Sequence, residues 1–312
     1  MTQGIPPLQS VLAFDEHNSH INLGKKPEFK IARDLTLEAW IYCESLLRRR
    51  TGIVTNVYDT TATESGYGLL LDGKSGIFFA LKTSSKAINY LSSKSDSLKL
   101  NRWHHVAGTY DGQRMKVYVD GVEKASKAIT DSSINYHPEN DLSIGTYKDN
   151  NETYRFKGKI AEVRLWKLAL TAQEIQQNMH RRLQGNESGL VGYWPLNEAD
   201  NDIIYDKTSH ANHGAIAAAN WVQSELPLAN VKFDVELGVE QIMAKKPDKN
   251  SPQSSETEAN KAPLAEKPEE TIKVSSLSTG LEDYGFWCEQ VKKERAARTE
   301  PDPPFRRGRI WT

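Results

Sequence analysis

The sequence predicts an all-β protein: an antiparallel β-sandwich with one short helix, followed by a flexible linker and a short C-terminal tail with a helical segment. Three observations carry that reading. Asp-Gly pairs separate strand-like runs at 72–73, 111–112 and 120–121. About ten short runs rich in β-branched and aromatic residues occupy the first two thirds of the chain, as strands require. A stretch from Lys245 to Lys273, rich in Pro, Ser, Glu and Lys, contains no aromatic residue and cannot bury enough apolar surface to order itself. The expected boundaries are therefore a sandwich over residues 1–230, a low-complexity linker over 231–274 and a tail over 275–312.

In chain order, the early segment VLAFDEHNSHINLG reads as strand, polar loop, strand. LTLEAWIYC at 35–43 and GIVTNVY at 52–58 follow as strands. Asp72-Gly73 joins GYGLLL to SGIFFAL, Asp111-Gly112 joins HVAGTY to RMKVYV, and Asp120-Gly121 precedes VEKASKAI. Each pair predicts a tight hairpin with both central residues at positive φ, which Gly permits and Asp tolerates. LSIGTY at 142–147, GKIAEVRLW at 158–166 and GLVGYWPL at 189–196 complete the set. With no helices alternating among them, a parallel α/β sheet is excluded. One helix interrupts the series: Thr171 caps it, Glu174 completes a capping box, and Ile175, Met179 and Leu183 form its apolar stripe. The late segment YWPLNEADNDIIYDKTSHANHGAI again reads as strand, polar loop, strand, which makes it the expected neighbour of the early one.

Composition narrows the function classes. Among 312 residues, 40 Lys and Arg balance 41 Asp and Glu, so no overall field draws the protein to nucleic acid or anionic lipid. The apolar runs are strand-sized and broken by charges or glycines, so no membrane span is expected. Cys43 and Cys288 make a poor disulfide framework, and residues 1–12 lack the basic and apolar regions of a secretory signal. The expectation is synthesis in the cytoplasm, with any release by a non-classical route.

The stretch WHHVAGTYDGQRMKVYVDGV at 103–122, then LSIGTYKDNNETYRFKGKIAEVRLWKLALTAQEI at 142–175, then GLVGYWPLNEADNDIIYDKTSHANHG resembles laminin-G-like jelly-roll domains. These group with concanavalin A-like lectins and glucanases and with pentraxins. The resemblance implies two curved antiparallel sheets, edge loops that often hold calcium, and recognition of sugars, lipid head groups or other proteins. Within these motifs, His105 reads as a sheet histidine, and Trp166 and Trp194 as core anchors. Tyr147 and Trp221, nearer loops, are candidates to stack on a sugar ring.

Calcium needs several oxygen ligands brought together by loops. The loops at 58–65 and 148–153 offer Asp59, Glu64, Asp149, Asn150 and Glu152. The pentraxin resemblance places a calcium-ligand loop where Asp149, Asn150 and Glu152 fall, so Asp59, Asp149, Asn150 and Glu152 form the expected metal site. Solvated Asp- and Asn-rich turns are the competing reading.

An enzyme is not expected. β-Glucanases of the same fold class carry an E-x-D-x-x-E strand whose paired carboxylates flank the sugar. The strand KIAEVRLW has one carboxylate, Glu162. No G-x-S-x-G, H-E-x-x-H, P-loop or G-x-G-x-x-G motif occurs.

In the tail, Leu281, Tyr284, Trp287, Cys288 and Val291 recur at helical spacing, giving an apolar side that needs a partner surface. Phe305, Arg306, Arg307, Arg309 and Trp311 then combine rings with guanidinium groups able to stack and pair. Trp287 and these five residues are the expected contacts for a protein partner; folding back onto the sandwich is the alternative. The expected function is a non-catalytic module that binds a glycan or other surface ligand, calcium-assisted, with an attachment tail. Its rival is a structural or interaction protein, or cargo of a larger assembly, whose sandwich binds another protein.

Overall fold

The structure is a computed structural model that describes residues 8–228, except 46–49, 61–62, 75, 85–87, 94, 131–132 and 149–151. The expected linker at 231–274 and tail at 275–312 lie outside the described residues.

The chain opens with β1 (Gln9–Asp15) and β2 (His20–Gly24), a short 3-10 turn at Pro27–Phe29, then β3 (Leu35–Cys43) and β4 (Thr51–Asp59). Next come β5 (Glu64–Leu71), β6 (Ile77–Leu81), β7 (Asn89–Ser92), β8 (Trp103–Tyr110), β9 (Arg114–Val119) and β10 (Val122–Ala128). β11 (Leu142–Ile144), β12 (Thr146–Lys148), β13 (Thr153–Arg155) and β14 (Lys157–Trp166) lead to the helix α1 (Ala172–Asn178). β15 (Leu190–Trp194), β16 (Ile203–Ile204), β17 (Gly214–Ala217) and β18 (Asn220–Ser224) close it.

The first sheet runs β10-β9-β8-β3-β14-β1-β18, with β15 also on β14; the second runs β16-β17-β2-β11-β4-β5-β6-β7. β12 and β13 form a separate hairpin. The early and late segments meet as expected, β1 on β18 and β2 on β17. Between the sheets lies one apolar core: Leu37 and Ile41 of β3, Val106 of β8 and Ile160 of β14 face Ile53 of β4, Leu69 of β5 and Phe79 of β6. Each such side chain stabilises the fold by roughly 1.5–3 kcal/mol relative to exposure. Trp194 is buried in this core, edge-on to Phe29. Cys43 is buried as well, and desolvation pushes its thiol up to about 12.

Of the three Asp-Gly turns, one meets the expectation and two differ from it. Only Asp120-Gly121 has both residues at positive φ, 52° and 72°. At the other two pairs only the glycine is left-handed, and the aspartate acts through its carboxylate. Asp72 Oδ1 accepts from the Lys74 and Gly76 amides, and Asp111 Oδ1 from those of Gln113 and Arg114. The run LSIGTY is likewise broken in two. Gly145 takes φ 78°, and a Cβ there would meet the Phe14 ring at 2.5 Å. Past that glycine the ladder with β4 ends, and β12, still packed against β4, pairs with β13 instead.

Helix α1 starts with the expected capping box, Thr171 to the Glu174 amide and Glu174 back to Thr171. It covers the outer face of the first sheet, packing Ile175 with Tyr118, Trp166 and Tyr193. Beneath it the wholly buried Arg164 side chain is the centre of a polar cluster. Its Nη2 bonds Glu162 at 3.0 Å and the Arg181 carbonyl at 2.6 Å, and its Nη1 lies 3.5 Å from Glu38 and 3.1 Å from the Asn178 carbonyl. Trp166 donates to Glu38 and Tyr193 to Glu162. His105, the expected sheet histidine, has the Glu38 carboxylate 3.3 Å away across the β3–β8 pair. Glu162 therefore has a second carboxylate nearby, but both are fully buried and both hold Arg164.

Candidate cleft on the second sheet

Strand periodicity builds a cleft of about 440 Å³ on the outer face of the second sheet. Along β6, Ile77, Phe79 and Leu81 point into the core, so Phe78 and Ala80 point outward, where they cluster with Leu70 of β5. An outward face would ordinarily be polar. Here it is apolar and is walled by Tyr90 of β7, by Asp59 at the end of β4, and by Tyr147 and Tyr154 of the β12–β13 hairpin.

The rings are arranged in two pairs. Phe78 and Tyr90 lie 4.8 Å apart, tilted by 33°, and Tyr147 and Tyr154 lie nearly parallel at 6.1 Å. The Arg50 guanidinium sits 4.3 Å from the Phe78 ring and 4.7 Å from the Tyr90 ring, a cation–π placement. The Tyr147 hydroxyl donates to Asp59 Oδ2 at 2.8 Å, fixing the hairpin against β4. Asp72 and Glu152 add two more carboxylates to the lining. Phe78 is buried beneath Arg50, while Tyr90, Tyr147 and Tyr154 keep ring surface exposed. Such rings, carboxylates that accept and a guanidinium that donates are the set that a polyhydroxylated ring engages: C–H faces on aromatics, hydroxyls on charged groups.

Of the residues expected from sequence, Asp59, Glu152 and Tyr147 line this single cleft. Asp149 and Asn150 lie outside the described residues, as do Trp287, Phe305, Arg306, Arg307, Arg309 and Trp311. Trp221 sits elsewhere, on β18 in the first sheet. It is half-buried against the core, and its indole N–H donates to the Asn201 carbonyl. Tyr147 and Trp221 thus do not share a site. Among the described residues no group of three or more His, Cys, Asp or Glu side chains stands ready to hold a metal ion. Asp59 and Glu152 alone fall short of the oxygen set calcium takes, and one Asp59 oxygen already accepts from Tyr147.

Sequence reasoning missed Arg50, Phe78, Tyr90 and Tyr154. The available signal was the uninterrupted apolar run IFFAL: a strand apolar on both faces needs cover on both, or a ligand on one.

A two-sheet antiparallel jelly roll with an aromatic cleft on one outer face defines the structural class. The chain belongs to the concanavalin A-like lectin/glucanases superfamily, whose laminin-G-type family model matches residues 15–176. Among curated relatives it is 26% identical to mouse (Mus musculus) pappalysin-1 over 227 residues, 65% of this chain. It is 25% identical to the human (Homo sapiens) protein over 190 residues, 57% of this chain. The chain spans only 14% and 11% of the length of those relatives. A solved structure from Bacteroides ovatus, of a protein proposed to bind carbohydrate, superposes with a TM-score of 0.57 at 23% identity. That alignment covers 72% of this chain and 62% of the other, and it shows a shared fold.

Proposed function

We propose that the protein is a non-catalytic binding module that recognises a carbohydrate in the cleft on the second sheet. The observation that carries this reading is the convergence of Phe78, Tyr90, Tyr147 and Tyr154 with Arg50 and Asp59 in one concave space. Its volume lies within the usual range for small-ligand sites, roughly 300–1,000 Å³. The carbohydrate-binding description given to the Bacteroides ovatus protein of the same fold accords with it. With one arginine against three carboxylates, the cleft favours an uncharged sugar over an acidic one.

Calcium enters as the finer part of the proposal: Asp59 and Glu152 from the cleft, with Asp149 and Asn150 between them in sequence, would hold the ion and orient sugar hydroxyls. The experiment is a glycan array probed with the full chain in calcium and again in EDTA. Binding to neutral glycans that Tyr147→Ala abolishes supports the reading, and loss in EDTA supports the calcium part. An array with no signal above background in either buffer removes it.

A further inference from the structure

A second cleft, of about 700 Å³, lies on the outer face of the first sheet, where α1 leaves that face uncovered. Register builds its floor. Tyr42 of β3 stands opposite Trp103 of β8 on one side and Lys159 of β14 on the other, so a lysine, a tyrosine and a tryptophan form one row across three adjacent strands. Trp40, two residues before Tyr42, faces the same way. The row is packed as well as aligned. The Lys159 ammonium sits 4.2 Å above the Tyr42 ring, and the Tyr42 and Trp103 rings meet edge-to-face at 5.7 Å. Both indole N–H groups are spent within the protein, Trp40 on the Met179 carbonyl and Trp103 on the Ser224 hydroxyl, which fixes the rings in place.

The charges around this floor are unequally committed. Among the described residues, neither Lys159 nor Arg102 has a carboxylate in ion-pair range. Lys159 Nζ lies 3.5 Å from the Ser224 hydroxyl and rests on the Tyr42 ring. The carboxylate of Asp120 is already bound, one oxygen to His104 and the other to the His105 amide. Glu225 is the remaining acid of the lining, and it is exposed. Two cations and two carboxylates thus line this cleft, with Arg102 partly offset by Asp120 and Lys159 held in no ion pair among the described residues, whereas in the cleft on the second sheet three carboxylates face one arginine.

We infer that this cleft is a second binding site, on the opposite sheet from the first, for an acidic sugar bearing a carboxylate or a sulfate. The sugar packs against the part-exposed Tyr42, whose ring the buried Trp103 braces, while Lys159 and Arg102 hold the anionic group. Charge-assisted hydrogen bonds of that kind are the strong ones, and bidentate arginine pairing adds geometric selectivity. The two outer faces then select sugars of different charge, so one module engages two kinds of glycan at once.

The test is calorimetric titration of the full chain at low ionic strength with three probes: trigalacturonate, a sulfated disaccharide and a neutral galactose trisaccharide. Saturable binding of trigalacturonate assigns the carboxylate, and of the sulfated probe the sulfate. Affinity for the acidic probe falls with added salt, as an ionic contact demands. It also falls roughly tenfold or more in Lys159→Gln/Arg102→Gln, on the scale of two lost charged hydrogen bonds. Lys159→Arg retains binding, and Tyr90→Ala, in the other cleft, leaves it unchanged. Should the double variant unfold, the exposed Arg102→Gln alone carries the comparison. Failure of both acidic probes to bind, a loss of neutral-trisaccharide affinity as large as that of the acidic probe in Lys159→Gln/Arg102→Gln, or unchanged acidic-probe affinity in folded Lys159→Gln/Arg102→Gln or Arg102→Gln overturns the inference.

Discussion

The Tyr147 hydroxyl donates a 2.8 Å hydrogen bond to Asp59, 88 positions earlier in the chain. One bond thereby joins the β12–β13 hairpin to the end of β4 and holds two aromatic rings over the apolar face of the second sheet. Neither residue makes the cleft alone; the contact between them does.

Tyr147→Phe keeps the ring and removes the hydroxyl. Its expected effect is modest, about 1 kcal/mol or several-fold in glycan affinity, because the hairpin loses one restraint. Tyr147→Ala also removes a stacking face, and a larger loss follows, roughly tenfold or more. Titration of both variants with an array-selected glycan checks the order; equal affinities for the two would dismiss the ring's role.

Gly52 bears on the same wall. A Cβ placed there would lie 2.1 Å from the Thr146 carbonyl oxygen, a backbone atom that has no free movement. Gly52→Ala should push β12 away from β4 and destabilise the fold by about 1–3 kcal/mol, the usual range for an overpacked site. Thermal unfolding would show the stability loss, and glycan affinity should fall with it.

Beneath α1, stability should depend on pH through Glu38. Burial alone would push that carboxyl up, but the His105 contact and the Arg164 charge outweigh it and hold it below the ordinary glutamate value. A depressed folded value means that the contribution is present above about pH 4.3, the unfolded value, and is lost as pH falls through the folded one. Burial pushes Glu162 the other way, so its contribution has the opposite sign. Glu38→Gln leaves Arg164 with one buried partner fewer, which should cost about 3–5 kcal/mol at neutral pH. Its acid limb should also be flatter than the parent's. Unfolding midpoints measured from pH 3 to 8 decide the matter, and a variant as stable as the parent at pH 7 contradicts it.

For calcium, melting in EDTA and then in millimolar calcium is the direct comparison. An ion that binds only the folded chain raises stability by mass action, about 2.7 kcal/mol at a hundred times its dissociation constant. The shift should vanish in Asp59→Ala/Asp149→Ala. No shift in the parent chain removes calcium from the proposal.

Much of this architecture was legible because its causes are local. The capping box at Thr171 acts over a few residues, and the structure bears it out. At Asp72 and Asp111 the sequence fits a left-handed turn residue, yet both accept backbone bonds instead, a choice between two local devices that composition does not separate. The Glu38–Arg164–Glu162 cluster was invisible because Glu38 and Arg164 lie on different strands and meet only through register. The cleft was half legible. Polar loops gave away Asp59 and Glu152, whereas Phe78 and Tyr90 hid in runs that read as ordinary core strands, since which face of a strand lacks cover is decided by the whole sheet.

The most direct test of the carbohydrate-binding cleft is the equilibrium affinity of an array-selected neutral glycan for the full chain and for Tyr90→Ala/Tyr154→Ala. These substitutions take one ring from each pair and touch no part of the core between the sheets. A loss of roughly tenfold or more, with the melting temperature unchanged, is the expected result. Equal affinity in parent and variant would show that the glycan binds elsewhere.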